Sequence, residues 1–384
     1  MVRPAAGRVA LSLLVLLGTS SRAADACPFC GIVGESLAMR RDAADVVAIG
    51  EANDGVTPGP DGFPEQAFTL GQTLRGTIPP DITEAAARVT GPVVGTAIVF
   101  GRSSNGDLRW SALAAHEAVL GYAAAAPATS LPAAERLRWF AQRLEHPDPA
   151  IAADAFAEFG LAPFDAVREA ADAFDPIKLA AWVGEAGIDA RRRGFYGLAA
   201  GIVAADTRDA AVRRDLLADL HDAIAAPADD FRAGYDGLLA GLIVAEGAAA
   251  LDEFSRLGLF GPSARPVDQR HLLAALRFAW ESLDATIPRD RVAAATARLL
   301  NSRAVAADAA VDLARFQAWE PLDTVANLWM TLGRDDPLVR RAVAGYLDAC
   351  PLPAARTHLD RLRTADAERL DAALEAARAP LARP

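Results

Sequence analysis

The spacing of apolar residues changes once along this chain, near residue 110, and does not change back. That switch restricts the fold to a small strand-built unit followed by a long helical one. After residue 111 the apolar positions recur at helical spacing. Leu137, Phe140, Ala141 and Leu144 fall at i, i+3, i+4 and i+7, which puts them on one face. Leu216, Leu220 and Ile224 repeat the spacing, as do Leu272, Leu276, Ala279 and Leu283. Asp148-Pro149, Asp175-Pro176 and Asp336-Pro337 mark helix starts. The aspartate accepts an orphan backbone N–H, and proline at the first helical position lacks a donor that would be orphaned anyway. The stretch predicts about fifteen helices of roughly 10 to 18 residues with short loops. That succession, with no sheet between, predicts an α-solenoid of helical hairpins.

Residues 27–110 read differently. Residues 45–50 (DVVAIG) form an apolar run of strand length. Residues 53–64 (NDGVTPGPDGFP) read as a turn-rich loop. Residues 68–74 alternate apart from Gln72, and 76–80 end that strand. Residues 93–100 (VVGTAIVF) predict a further strand, followed by a turn at 103–106 and a strand ending near Trp110. Short strands in this number predict a small barrel or sandwich.

Residues 1–26 have the parts of a secretory signal. Arg3 and Arg8 supply the positive start, and residues 9–17 (VALSLLVLL) the apolar run. Ser21-Arg22-Ala23 and Ala24-Asp25-Ala26 are alternative cleavage sites. The run is shorter than the roughly 20 residues a membrane helix needs. Acylation of Cys27 as a lipoprotein is the rival reading, and Asp25 fits it poorly. The expectation is a periplasmic or secreted protein with no transmembrane segment after signal cleavage. The 384 residues carry 39 Lys and Arg against 50 Asp and Glu, a net charge of −11. That balance argues against nucleic acid or an anionic membrane as partner, since both need a basic face.

Cys27-Pro28-Phe29-Cys30 follows the signal directly. A redox Cys-x-x-Cys ordinarily follows a buried strand and opens a helix that lowers the thiol pKa. Here the preceding strand would have to be the removed signal. A local disulfide in an oxidising compartment is the leading reading, and a redox dithiol the alternative. Haem attachment would need His where Gly31 stands, and zinc would need four ligands. Cys350 is left over and reads as a buried thiol.

The remaining chemistry-bearing residues are scattered. His116, His146, His221, His271 and His358 form no metal-ligand spacing. Asp154, Glu158 and Asp312, with Arg277 and Arg315, interrupt apolar helices. Asp154 and Glu158 are four apart and share a face. Polar ladders between stacked hairpins explain them better than a catalytic carboxylate pair. Residues 191–193 (RRR) read as a loop or helix start. Trp139, Trp182, Trp280, Trp319 and Trp329 read as core. The sequence points to no catalytic residue, metal or cofactor.

Two resemblances add to this reading. Residues 335–343 (DDPLVRRAV) resemble the second-helix signature of a HEAT repeat, with a weaker copy at 148–156. The amino-terminal unit resembles the netrin-like (tissue-inhibitor-of-metalloproteinase-like) OB barrel. It has closely spaced cysteines Cys27 and Cys30, a strand at 45–50, a strand at 68–76 closing on Gly76, and a strand at 95–101. It departs from that pattern in having no cysteine between Cys30 and Cys350. End to end, the chain is similar to a family of exported planctomycete-type proteins. The similarity lies in residues 27–30, 144–148, 154–159, 192–196, 275–278, 312–316 and 346–351. It implies architecture and export, and no activity.

The whole is therefore expected to be an α+β multidomain protein. A signal peptide (1–26) precedes a netrin-like, OB-like β domain (27–110), a HEAT-like α-solenoid (111–378) and a tail (379–384). The expected role is non-catalytic protein binding or scaffolding, with another protein as partner. Thiol–disulfide exchange at Cys27 and Cys30 is the alternative.

Overall fold

The computed structural model describes residues 33–104, 107–185, 187–228 and 230–379. The expected signal segment and the Cys27/Cys30 pair lie outside the described residues. A short helix, α1 (Leu37–Ala43), leads into five strands. These are β1 (Val46–Pro58), β2 (Pro64–Arg75), β3 (Glu84–Arg88), β4 (Thr96–Ser104) and β5 (Asp107–Ala114). They close a barrel in the order β1-β2-β3-β5-β4, with β3 and β5 parallel and the other pairs antiparallel. This is an OB-like arrangement.

β4 shows how the barrel joins the rest. Ala97 and Val99 point into the barrel, where they meet Phe68, Ala85, Ala87 and Ala112. Ile98 and Phe100, on the other face, join Leu37, Val47, Val119 and Tyr122 in the core that runs on through the helices. Alternation with period two thus divides one strand between two cores. That is why its sequence is a continuous apolar run.

The strands differ from expectation in three places. Residues 53–64 are not a loop throughout, because β1 continues to Pro58. The Asn53–Gly55 step is a bulge: Ala52 pairs with Phe68 and Val56 with Gln66. Gly55 supplies the left-handed turn at φ +88°. Buried Gln66 stands in for the missing ladder bonds, donating to the carbonyls of Asn53 and Val93 at 2.8 Å each. It also accepts from the Val93 amide at 2.9 Å. β3 reads EAAAR, and its inward face is only Ala85 and Ala87, so the strand period hides in a helix-favouring composition. β5 extends past Trp110 because residues 111–114 pair with 97–100 of β4.

Sixteen helices follow among the described residues, from 6 to 17 residues long, with three short 3₁₀ turns. The first five are α2 (Glu117–Ala125), α3 (Ala133–Ala141), α4 (Pro149–Leu161), α5 (Phe164–Glu169) and α6 (Pro176–Gly184). Then come α7 (Ala190–Asp206), α8 (Ala210–Ala225), α9 (Tyr235–Glu246), α10 (Ala248–Arg256), α11 (Pro266–Ser282) and α12 (Arg289–Arg298). The last are α13 (Ala306–Arg315), α14 (Leu322–Leu328), α15 (Pro337–Ala349), α16 (Pro353–Ala365) and α17 (Ala367–Arg378). Asp148, Asp175 and Asp336 each cap a helix with proline in its first turn, as their sequence context requires.

From α7 onward, contact passes to the next helix and to the next but one. α7 packs on α9, α9 on α11, α13 on α15 and α15 on α17, while α8, α12 and α16 each touch both sequence neighbours. The tightest of these pairs is α7 with α9. A Cβ on Gly237 would collide with the Gly194 carbonyl, and one on Gly241 with the Gly197 carbonyl. With Gly201, whose Cβ would meet the Gly241 carbonyl, five glycines bring two backbones into direct contact. From Tyr235 to Ala245, α9 is buried except at Asp236. No helix among the described residues is long and apolar enough to cross a membrane.

Candidate functional site

The acids that interrupt the helices are structural partners. Leu37 donates its amide to Asp154 at 2.7 Å, and Ser36 donates its hydroxyl to Glu158 at 2.5 Å. Tyr122 completes Asp154 at 2.8 Å, and Arg136 pairs with Glu158. The two carboxylates on one face of α4 therefore satisfy the amino end of α1. Burial pushes both above the usual carboxylate range, against the hydrogen bonds they accept. At the other end of α1, Arg41 donates to the carbonyls of Ala123 and Ala126 at 2.8 and 2.7 Å, closing α2. Burial would raise neighbouring Asp42, but hydrogen bonds from Arg41 and the Thr129 amide outweigh it and bring it down to about 2. Asp312, fully buried, takes Arg277 at 3.0 and 2.8 Å and so ties α11 to α13. Arg191, Arg192 and Arg193 open α7, where Arg192 reaches Glu145 at 3.1 Å.

The histidines each find a local partner. His116 meets Asp148 at 2.7 Å, His358 meets Asp323 at 2.8 Å and His221 meets Glu246 at 3.3 Å. His146 accepts from the Asp148 amide at 3.0 Å. Cys350 is a buried free thiol. Cys27 and Cys30 lie outside the described residues. No group of three or more potential ligands among the described residues is placed to hold a metal.

The most constructed feature is made by residues 226–228 and 230–234 between α8 and α9, a region that sequence reasoning passed over. It walls a cleft of about 470 Å³ with α6 and α8. Arg232 sits at φ +50°, a conformation that non-glycine residues adopt only when their surroundings impose it. Those surroundings are visible. The Arg232 guanidinium donates to the Ile224 carbonyl at 2.9 Å, lies 3.6 Å from Asp268 and stacks 3.6 Å over the Tyr235 ring. The Asp230 carboxylate accepts the Arg232 amide at 2.9 Å. Arg265 holds the carbonyls of Ala228 and Asp230. His271, buried on α11, approaches the Phe231 carbonyl with Nε2 at 3.0 Å and Asp236 with Nδ1 at 3.6 Å.

A carbonyl can only accept, so Nε2 carries a proton, and Nδ1 then faces a carboxylate. Burial opposes charge on the His271 ring, but Asp236 and the Phe231 carbonyl more than offset it and raise the imidazole. These bonds hold the backbone while leaving the Phe231 side chain 65% exposed. Across the cleft, Asp219 is raised by burial, then by Asp222 and Asp215. No cation pairs with Asp219 or Asp222 among the described residues.

A second cavity of about 570 Å³ lies over the stacked Trp280 and Phe316 rings, 4.3 Å apart. None of its lining aromatics is exposed. The signal that could have found the first cleft is a single phenylalanine in a proline-containing connection, preceded by two aspartates and followed by an arginine.

Comparison with family models, curated proteins and solved structures finds no match for this chain.

Proposed function

We propose that this protein is an exported, non-catalytic protein-binding or scaffold module built on a HEAT-like solenoid. The observation that carries the reading is the packing from α7 to α17. The main helix pairs follow chain order, α7 on α9, α9 on α11, α13 on α15 and α15 on α17, with Phe164 of α5 reaching Phe278 of α11 as a longer contact. Stacking in chain order is the property that suits solenoids to protein partners. The amino-terminal unit is best read as netrin-like within its OB-like architecture. Kinship with exported planctomycete-type proteins agrees with the same picture. Residues 1–26 act as the signal, so the mature chain begins at the Cys27/Cys30 clamp in the periplasm or outside the cell.

The test is in-cell crosslinking of the full-length protein, followed by pull-down and mass spectrometry, including the mature amino terminus. A reproducible partner, with cleavage before Cys27, is the expected result. Recovery of no partner in repeated experiments would sink the binding reading. An intact leader would sink the export reading separately.

A further inference from the structure

We propose that the cleft between α6, α8 and residues 226–228 and 230–234 is a docking site for a partner segment that presents a basic side chain beside an apolar one. This rests on the protein-binding reading and names the chemistry of the partner.

Three observations fix that chemistry. The cleft walls carry Ala180 and Val183 from α6, Ala223 from α8 and Leu238 from α9, together with two arginines already engaged: Arg193 donates to the Glu185 carbonyl, and Arg232 to the Ile224 carbonyl beside Asp268. Its volume of about 470 Å³ lies within the roughly 300–1,000 Å³ typical of ligand pockets. Its rim is acidic. Asp215, Asp219 and Asp222 stand at i, i+4 and i+7 on α8, one stripe, and Asp230 closes the rim from the connecting segment. Asp215 is paired with Arg214 at 2.8 Å, but among the described residues no cation lies within ion-pair distance of Asp219 or Asp222. Two neighbouring carboxylates, one of them partly buried, are relieved by an arriving guanidinium or ammonium.

The third observation separates a polypeptide from a small amine. Phe231, between the lining residues Asp230 and Arg232, is 65% exposed. Ile177, one turn before Ala180 on the same side of α6, is 82% exposed. Apolar surface thus continues beyond the cleft on two sides, more than a small cation could cover. The segment carrying Phe231 is held by Arg232, Arg265 and His271, so the aromatic is presented on a fixed backbone.

The experiment uses the full chain and a fluorescein-labelled, end-capped octapeptide of alternating arginine and leucine, read by fluorescence anisotropy. A peptide with glutamate for arginine is the control probe. The expected result is saturable binding of the first and none of the second. Asp219→Asn with Asp222→Asn, which preserves side-chain shape, is expected to weaken binding about tenfold or more, the loss of a charge-assisted contact. Phe231→Ala is expected to weaken it several-fold, about fivefold. Asp290→Asn with Glu320→Gln removes the same charge at the second cavity and is expected to leave binding unchanged.

If the α8 variant binds like the parent, or both double variants weaken equally, the attraction is that of a net-negative surface and the proposal fails. Failure here, with crosslinked partners still recovered, would leave the binding reading intact and move the site elsewhere.

Discussion

The barrel and the helical array reach close packing by opposite routes. The barrel interior is small, with Phe68 as its one buried aromatic among alanines and valines. The array draws on large aromatics such as Phe159, Phe195 and Tyr196, and at α7/α9 it removes side chains altogether so that backbones touch. The barrel therefore depends on what fills it, and the α7/α9 seam on what is kept out. The difference also shows that the two are not beads on a string. Ile98 and Phe100 belong to the array's core although they sit on a barrel strand. Unfolding one part must expose surface of the other.

The largest expected effect tests the seam. Gly241→Leu would drive a side chain into the Gly197 carbonyl, and no rotamer escapes a clash that starts at Cβ. Loss of about 4 kcal/mol or more is expected in a denaturant titration. Gly121, with open space around its Cβ, is the internal contrast. Gly121→Ala in α2 should stabilise by about 0.5–1 kcal/mol. Equal tolerance at both glycines would break the seam argument.

Phe68→Ala should cost about 3–4 kcal/mol by emptying the barrel. Its sharper readout is cooperativity. A single transition, seen alike by tryptophan fluorescence and far-ultraviolet circular dichroism, is expected from the shared core. Two separated transitions would show the barrel to be an independent unit.

Ser36→Ala removes the hydroxyl that serves both the Met39 amide and Glu158. A loss of about 1–2 kcal/mol is expected, since the buried carboxylate also loses a partner.

The smallest effect concerns pH. His271 is raised above its ordinary value of 6.5, so its contribution is fully present below that pH and fades as pH climbs through the folded value. The ring is faced by Asp236 and the Phe231 carbonyl, with Asp268 on its own helix, so those bonds are what fade. Hydrogen exchange at the amides of 230–235 should quicken with rising pH beyond the intrinsic rate. His271→Gln should flatten that excess, and an unchanged profile would remove His271 as the holder of the segment.

The same contrast governs what could be read from residues. Helix starts were legible because Asp-Pro acts locally, as at Asp148 and Asp336. β4 was legible because burial on both faces gives an unbroken apolar run. β3 was not, since Ala85 and Ala87 do the work of larger strand formers. α1 was hidden because its seven residues are too short for an apolar period, and beyond the local Ser36 cap its amino end is held by Asp154 and Glu158, 117 and 122 positions away. The cleft was invisible for a similar reason. It is assembled from α6, α8 and a connecting segment whose shape is set by Arg265 and His271 on a later stretch of chain.

The fastening of α1 has a mechanical consequence. Ser36 and Leu37 are bonded to α4 before the chain enters the barrel. Tension on anything attached upstream would be delivered to α4 and spread through the helical core, and the barrel strands would lie off the load path. A tether at that end would strain the array first and leave the barrel ladder zipped until the α1–α4 bonds gave way.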